Sequence, residues 1–150
     1  MSVALRAFGE TDFAEIADFW VAAWVATGID VDFAARRPWL KAHLATMATE
    51  GVEIIVACTT EGAVVGFVTI DRGSGYLDQL CVAPAAQGRG VARALVNEAK
   101  RLAPGRVALS VNADNAPARA LYESAGFAVV AQGVSSMSGR PTLHLLWTCG

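Results

Sequence analysis

Residues 76–111 constrain the fold more than any other part of this sequence. They contain an apolar strand pattern over residues 76–82, a glycine-containing loop, a helix to about residue 103 and a second strand over residues 106–111. The helix is predicted because apolar residues recur at helical spacing, at Val91, Leu95, Ala99 and Leu102. A strand, a helix and another strand in succession need a right-handed crossover, so we expect a mixed sheet that is covered by helices.

The other elements follow from hydrophobic periodicity and turn residues. A strand over residues 3–8 precedes two helices, and three strands from residue 52 to residue 82 form an antiparallel meander. After the crossover come a helix over residues 115–125 and two last strands over residues 127–134 and 142–148. We therefore predict a single α/β (α+β) domain over residues 1–150. Its mixed, mostly antiparallel central sheet has about seven strands flanked by helices, in the order β-α-α-β-β-β-α-β-α-β-β.

The loop before the crossover helix reads Gln87-Gly88-Arg89-Gly90-Val91-Ala92. Two glycines let the backbone come close to a ligand, and the unpaired N–H groups and dipole of the following helix favour an anion. No Lys-Ser/Thr pair follows the second glycine, and the Gly-x-Gly-x-x-Gly spacing is missing, so the loop is neither a P-loop nor a dinucleotide fingerprint. A nucleotide-bearing cofactor or an ordinary tight turn both fit the loop alone.

The net charge and the cysteines limit which partners, metals and cellular compartments are expected. The formal net charge is −2 and no block of basic residues stands out, which argues against nucleic acid or an anionic membrane as a partner. No apolar run approaches the ~20 residues that cross a bilayer. Cys58, Cys81 and Cys149 lack metal-like spacing, and His43 and His144 are isolated, so no metal site is expected. A reducing cytoplasm fits these thiols best.

Two motifs in a fixed order resemble those of the GNAT superfamily of N-acetyltransferases. Gln87-x-x-Gly90-x-Ala92 is similar to the family's acyl-coenzyme A loop, and residues 112–127 resemble its Asn-x-x-Ala-x-x-Leu-Tyr-x-x-x-Gly-Phe block. The resemblance implies that acetyl-coenzyme A is the cofactor. It also implies which residues bind it: backbone groups of Leu80, Cys81 and Val82, the loop residues Gln87, Gly88, Arg89, Gly90, Val91 and Ala92, and also Asn115 and Tyr122. Asn115 could equally cap its helix.

The same resemblance suggests the catalytic groups. Tyr122 would protonate the departing thiolate, although its ring could instead pack the helix onto the sheet. Asp78 interrupts an apolar strand and is the candidate base, unless it merely pairs with a neighbouring donor. Some family members carry the base where this chain has Ser110, which cannot serve at neutral pH, so water alone could accept the proton.

Strand periodicity predicts which side chains share a face at the site. A period of two puts Tyr76, Asp78 and Leu80 on one face and Leu77, Gln79 and Cys81 on the other. Cys81 lies in an apolar strand without a nearby His, so a buried structural thiol is favoured over a nucleophile.

The early helices carry aromatic residues that border the acceptor pocket in this fold. We expect Trp20, Trp24, Tyr76 and Asp78 to contact the acceptor, although such rings would be core in most proteins. The predicted reaction is direct transfer of an acetyl group to a primary amine of a small molecule or peptide, in a ternary complex. The alternatives are a catalytically silent acyl-coenzyme A sensor and a protein N-terminal or lysine acetyltransferase. A homodimer could form through residues 143–147 if that strand is an edge.

Overall fold

The computed structural model describes residues 2–136 and 138–149. The elements, in chain order, are β1 (Ala4–Ala7), α1 (Phe13–Val25), α2 (Arg37–Thr49), β2 (Glu53–Cys58), β3 (Val64–Ile70), β4 (Leu77–Val82), α3 (Val91–Leu102), β5 (Arg106–Asn112), α4 (Ala116–Ser124), β6 (Ala128–Val134) and β7 (Pro141–Thr148). The mixed fold class and the predicted element order are confirmed. Among the described residues, no helix has the length and apolarity that crossing a bilayer requires.

The strands form two sheets rather than the one central sheet that was predicted. One sheet has the order β1-β2-β3-β4 and the other the order β5-β7-β6, and all neighbours within each sheet are antiparallel. The two sheets meet at one parallel bridge between Tyr76 and Ala108. Beside the bridge, the Ala108 N–H donates to the Gly75 carbonyl over 2.9 Å. Beyond this point, within the described residues, no ladder joins β4 to β5, so both strands have a free edge.

Gly75 allows the two sheets to approach at this junction. Its backbone has a φ of +77°, and a Cβ built on it would lie 2.3 Å from the carbonyl oxygen of Arg106. Both the left-handed conformation and the close contact require a residue without a side chain. The point where the strands begin to separate is therefore set by one glycine.

The final strand is the middle strand of its sheet. β7 pairs with β5 on one side and with β6 on the other, so residues 143–147 are not an edge and the condition for pairing with a second chain is not met. β6 is the outer strand, and it exposes three valines: Val129, Val130 and Val134. The strand order could not be read from the sequence, since all three strands carry similar apolar patterns.

Two hydrophobic clusters cover the two faces of the sheets. The first joins the apolar face of α3 to residues of both sheets, including Leu95, Val68, Val107 and Leu145. The second packs α1 and α2 against the opposite face of β2 and β3, with Trp20 and Phe67 at its centre. Because the first cluster contains side chains from both sheets, the sheets share a core although the described residues form a single bridge between them.

Candidate active site

A cleft lies between the diverging strands β4 and β5. Its volume is about 360 Å³. One side consists of residues of β4, β5 and α4, which are Leu77, Asp78, Gln79, Leu80, Ser110, Val111, Asn112, Asn115, Ala118 and Tyr122. The other side is formed by Trp24 of α1, by Val134, Ser135 and Ser136 at the end of β6, and by Thr142 and His144 of β7. Tyr76 lies at the closed end. A ligand in this cleft would contact both sheets.

The glycine loop presents a row of free main-chain donors. Gly88 and Gly90 have φ values of +75° and +84°, and a Cβ on either would meet no heavy atom within 4 Å. Among the described residues, none of the N–H groups of residues 88–93 donates to another backbone group, and α3 begins at Val91. The Gln87 side chain donates to the Val82 carbonyl over 3.2 Å and ties the loop to the end of β4. Six consecutive donors at a helix N-terminus with open space beside them suit a diphosphate.

A β-bulge interrupts β4 at the site. Val68 of β3 pairs with Leu80 and Ile70 pairs with Leu77, so Asp78 and Gln79 both lie opposite one residue, Thr69. The Thr69 hydroxyl accepts a hydrogen bond from the Gln79 N–H at 2.9 Å, which replaces the missing ladder bond. An extra residue of this kind shifts the alternation of side chains by one position.

The predicted faces of β4 are therefore wrong after the bulge. Leu77 and Leu80 both pack against the first cluster, whereas the prediction put them on opposite faces. Cys81 belongs to the second cluster, and the Gln79 amide oxygen accepts a long hydrogen bond of 3.4 Å from Trp20 Nε1. A strict period of two cannot reveal a bulge, because the extra residue leaves no mark on an apolar pattern.

Asp78 is paired with a histidine of α2. Its Oδ2 lies 2.6 Å from His43 Nε2, and the His43 ring stacks on Trp39 with centroids 4.6 Å apart. Asp78 and Tyr76 line the cleft and also a second cavity of about 220 Å³, whose other lining residues include His43 and Glu50. The carboxylate thus lies at the boundary between two cavities, held by the neighbouring donor that the sequence left open as an alternative.

Tyr122 faces the cleft from α4. The residue is 6% exposed, and its ring meets that of Phe127 edge to face at 5.5 Å. Among the described residues, its hydroxyl has no hydrogen-bond partner, and burial raises its pKa above the ordinary value of a phenol. The hydroxyl is therefore a protonated donor at neutral pH. Asn115 also lines the cleft while its Oδ1 caps α4 by accepting from the Ala118 N–H at 3.3 Å.

Ser110 and His144 form a second polar pair in the cleft. Ser110 Oγ lies 2.8 Å from His144 Nδ1, because β5 and β7 place these residues directly opposite each other. In the sequence, Ser110 is a departure from a motif and His144 is an isolated histidine. Their shared signal is that each is a polar residue between apolar neighbours in a strand, but no sequence pattern gives the register that pairs them.

The two tryptophans of α1 that were predicted to contact the acceptor lie in different environments. Trp24 lines the cleft, whereas Trp20 is 1% exposed, lies in the core and lines neither cavity. Trp20 was expected to contact the acceptor, but its ring packs against Phe33 and Trp39 in the core and its Nε1 bonds to Gln79. Cys81 is buried, and desolvation raises the pKa of its thiol to about 12, which keeps it from acting as a thiolate nucleophile.

Comparisons with known proteins point to one family. A sequence model of the acetyltransferase (GNAT) family matches residues 13–127. Curated relatives include a mycothiol acetyltransferase of Beutenbergia cavernae, 46% identical over 65 residues (41% of this chain and 22% of that protein). An L-amino acid N-acetyltransferase of Escherichia coli is 37% identical over 94 residues (55% of this chain and 57% of that protein). A peptidyl-lysine N-acetyltransferase of Salmonella typhimurium, YjaB, is 33% identical over 86 residues (57% of each). The chain thus spans no more than 57% of these relatives.

Solved structures share the fold over nearly the whole chain. A phosphinothricin acetyltransferase of Sinorhizobium meliloti, in complex with acetyl-coenzyme A, has a TM-score of 0.78 and 19% identity, covering 100% of this chain and 90% of that one. The apo form of YjaB from Escherichia coli has a TM-score of 0.78 and 25% identity, covering 97% of both chains.

Proposed function

The chain belongs to the acetyltransferase (GNAT) family and is thus an acyltransferase, and we propose that it transfers an acetyl group from acetyl-coenzyme A to a primary amine. The amine belongs to a small molecule or a peptide and attacks directly in a ternary complex. The observations that carry this proposal are the six free N–H donors at the start of α3 and the cleft between β4 and β5, which the chain connects through the C-terminal end of β4. The N–H donors would bind the diphosphate of the cofactor, and the cleft would hold its long thioester arm.

The cofactor fits the residues that line this path. The N–H groups of residues 88–93 hold the diphosphate, and the open space beside Gly88 and Gly90 leaves room for it. The free edge of β4 at residues 80–82 bonds the pantetheine arm, as an added strand would. Asn115 and Tyr122 border the arm from α4. Acetyl-coenzyme A bound to the Sinorhizobium meliloti enzyme supports this choice of cofactor.

Two side chains have proposed roles at the reacting group. Tyr122 donates its proton to the departing sulfur, since burial keeps the phenol protonated and its hydroxyl has no partner among the described residues. Asp78 was the base predicted from the sequence, but its Oδ2 is engaged with His43. We assign to Asp78 the attraction of the acceptor in its ammonium form, because it borders both cavities.

The acceptor is the least constrained partner. The names of the relatives include an L-amino acid acetyltransferase and a peptidyl-lysine acetyltransferase, so a free amino acid and a lysine side chain are the first acceptors to test. Ser135, Ser136 and Trp24 form the outer wall of the cleft and mix polar and aromatic contacts. A reducing compartment such as the cytoplasm is proposed because Cys58, Cys81 and Cys149 are free thiols.

Calorimetry and a thiol-release assay test the proposal. Wild-type protein should bind acetyl-coenzyme A with a Kd of roughly 1 μM to 1 mM. It should also release free thiol with at least one member of a panel of L-amino acids, a lysine peptide with blocked termini, a peptide with a free N-terminus and primary monoamines. Absence of binding at millimolar cofactor would refute the proposal, and binding without thiol release would leave an acyl-coenzyme A sensor.

A matched pair of variants tests the loop. Gly90→Ala places a methyl group in the space proposed for the diphosphate and should weaken acetyl-coenzyme A binding by about tenfold, ~1.4 kcal/mol. Gly28→Ala is the control, because Gly28 has a similar φ of +76° and no heavy atom within 4 Å of an added Cβ. Both variants carry the same backbone strain, so only the diphosphate contact distinguishes them. Equal affinities would contradict the proposed site.

A further inference from the structure

Ser110 and His144 lie on the face of their sheet that points away from α3. Leu143 and Leu145, on either side of His144, both belong to the first cluster, and so do Leu109 and Val111 on either side of Ser110. Because side chains alternate along a strand, Ser110 and His144 project from the opposite face. Both residues line the cleft that Tyr122 faces from α4. An imidazole and a phenol thus border one space.

One ring nitrogen of His144 is hydrogen-bonded, and the other has no partner among the described residues. Ser110 Oγ is 2.8 Å from Nδ1, while Nε2 has no hydrogen-bond partner among the described residues. Nε2 lies beside Gly133 of β6, where an added Cβ would come within 2.6 Å of it. A serine hydroxyl can accept a hydrogen bond from Nδ1–H, and in that tautomer the lone pair is on Nε2. A side chain at position 133 would therefore crowd Nε2, and glycine avoids this contact.

His43 is the competing imidazole and is less suited to this role. Its Nε2 is occupied by Asp78, its ring is covered by Trp39, and it lines the second cavity but not the cleft that contains Tyr122. His144 lies beside the uncharged Ser110 of β5 and Gly133 of β6. The other titratable groups that line the same cleft are Asp78, Tyr76 and Tyr122.

We propose that His144 is the general base of the acetyl transfer and that Ser110 holds its tautomer. This inference depends on the proposed function. The ammonium that Asp78 attracts first loses one proton to solvent, and the resulting neutral amine nitrogen attacks the thioester carbon, so a C–N bond forms as the C–S bond breaks. His144 Nε2 takes the proton that the nitrogen loses, and the Tyr122 hydroxyl gives its proton to the sulfur. Solvent then returns a proton from His144 to Tyr122, so a neutral amine and a thioester yield an amide and a thiol.

Nitrogen NMR of the imidazole rings tests the resting state. The chain has two histidines, so His43→Gln and His144→Gln assign both signals. In the protein with acetyl-coenzyme A bound, neutral His144 should carry its proton on Nδ1. A neutral ring with the proton on Nε2 would overturn the proposal, because Nε2 could then accept nothing.

The pH profile of kcat/KM separates the two histidines. With an amine that the wild type acetylates, kcat/KM should rise with pH along the titration of His144 that NMR measures. His144→Gln should lower kcat/KM by about 100-fold and abolish this limb, since a general base contributes about that much. His43→Gln should retain the limb. A His144→Gln enzyme with wild-type rate and profile, or a limb that disappears only in His43→Gln, would overturn the proposal.

Gly133→Ala is a second variant that leaves the imidazole in the protein. Its methyl group would crowd Nε2, so kcat should fall while KM for acetyl-coenzyme A is unchanged. Gly105→Ala is the control, because it adds the same group where nothing lies within 4 Å. A Gly133→Ala enzyme with the kcat of Gly105→Ala would count against the proposal.

Failure of the proposed function and failure of this inference give different results. If the wild type binds acetyl-coenzyme A but acetylates no amine, the proposed function fails and this inference fails with it. A His144→Gln enzyme with wild-type activity refutes the inference alone.

Discussion

Tyr122 is the side chain whose role depends most on its surroundings. Water would solvate the anion of an exposed phenol, whereas this one is buried against Phe127 and lines the cleft. Because burial penalises the charged form, the pKa of Tyr122 is raised, and the phenol stays protonated at and above the ordinary phenol pKa of ~10. Loss of activity at moderately alkaline pH is therefore not expected from Tyr122.

Tyr122→Phe should separate the chemical step from cofactor binding. The ring and its contact with Phe127 remain, so acetyl-coenzyme A affinity should be unchanged in calorimetry. Loss of the donated proton should lower kcat by at least about tenfold. Tyr76→Phe is the control, because Tyr76 also lines the cleft but is 41% exposed. An unchanged kcat, or weakened cofactor binding, in Tyr122→Phe would argue for a packing role.

Single residues also show which positions can be predicted from the sequence. Tyr122 and Asn115, whose roles stay predictions, could be placed together because they belong to a local motif, in which spacing along one helix fixes their relative position. His144 and Ser110 could not, since they lie 34 residues apart and meet only through the register of β5 on β7. The pairing of Asp78 with His43 has the same origin, in the packing of α2 against the sheet.

Among the elements, helices and strands were predictable because their boundaries carry local signals. Asn115 and the proline at the start of α4 mark its beginning, and the left-handed Gly126 follows its end. The bulge in β4 has no such signal, since it arises from the pairing of two residues opposite Thr69. The separation of β4 from β5 was equally hidden, because it depends on one close contact at Gly75.

A side chain at position 75 should destabilise the junction between β4 and β5. Gly75→Ala would bring a methyl group within 2.3 Å of the Arg106 carbonyl, so the strands must move apart where they should meet. We expect this variant to be less stable than Gly28→Ala by about 1–3 kcal/mol, since both share the left-handed strain and only one has the clash. Urea unfolding with matched m-values measures the difference. Equal stabilities would show that the bridge to Ala108 does not hold the sheets together.

The whole molecule combines a weak backbone connection with a shared core. The two sheets meet at one bridge, yet Val68 of one and Val107 of the other contact a common cluster under α3. The single domain predicted from the sequence over residues 1–150 stays a prediction, and the common cluster favours it. A ligand in the cleft adds contacts to both sheets in the region where the backbone adds none.

Amide hydrogen exchange should therefore detect acetyl-coenzyme A in both sheets at once. At a hundredfold excess over Kd, binding contributes about 2.7 kcal/mol and should raise Tm by roughly 5–10 °C. Exchange should slow at residues 88–93 and along the facing edges of β4 and β5, while residues 128–132 of the outer strand β6 are unchanged. A nucleotide that lacks the pantetheine arm is the control, because it can reach the α3 loop but not the cleft. If acetyl-coenzyme A protects only residues 88–93, the arm does not enter between the strands, and the cleft is not the site of transfer.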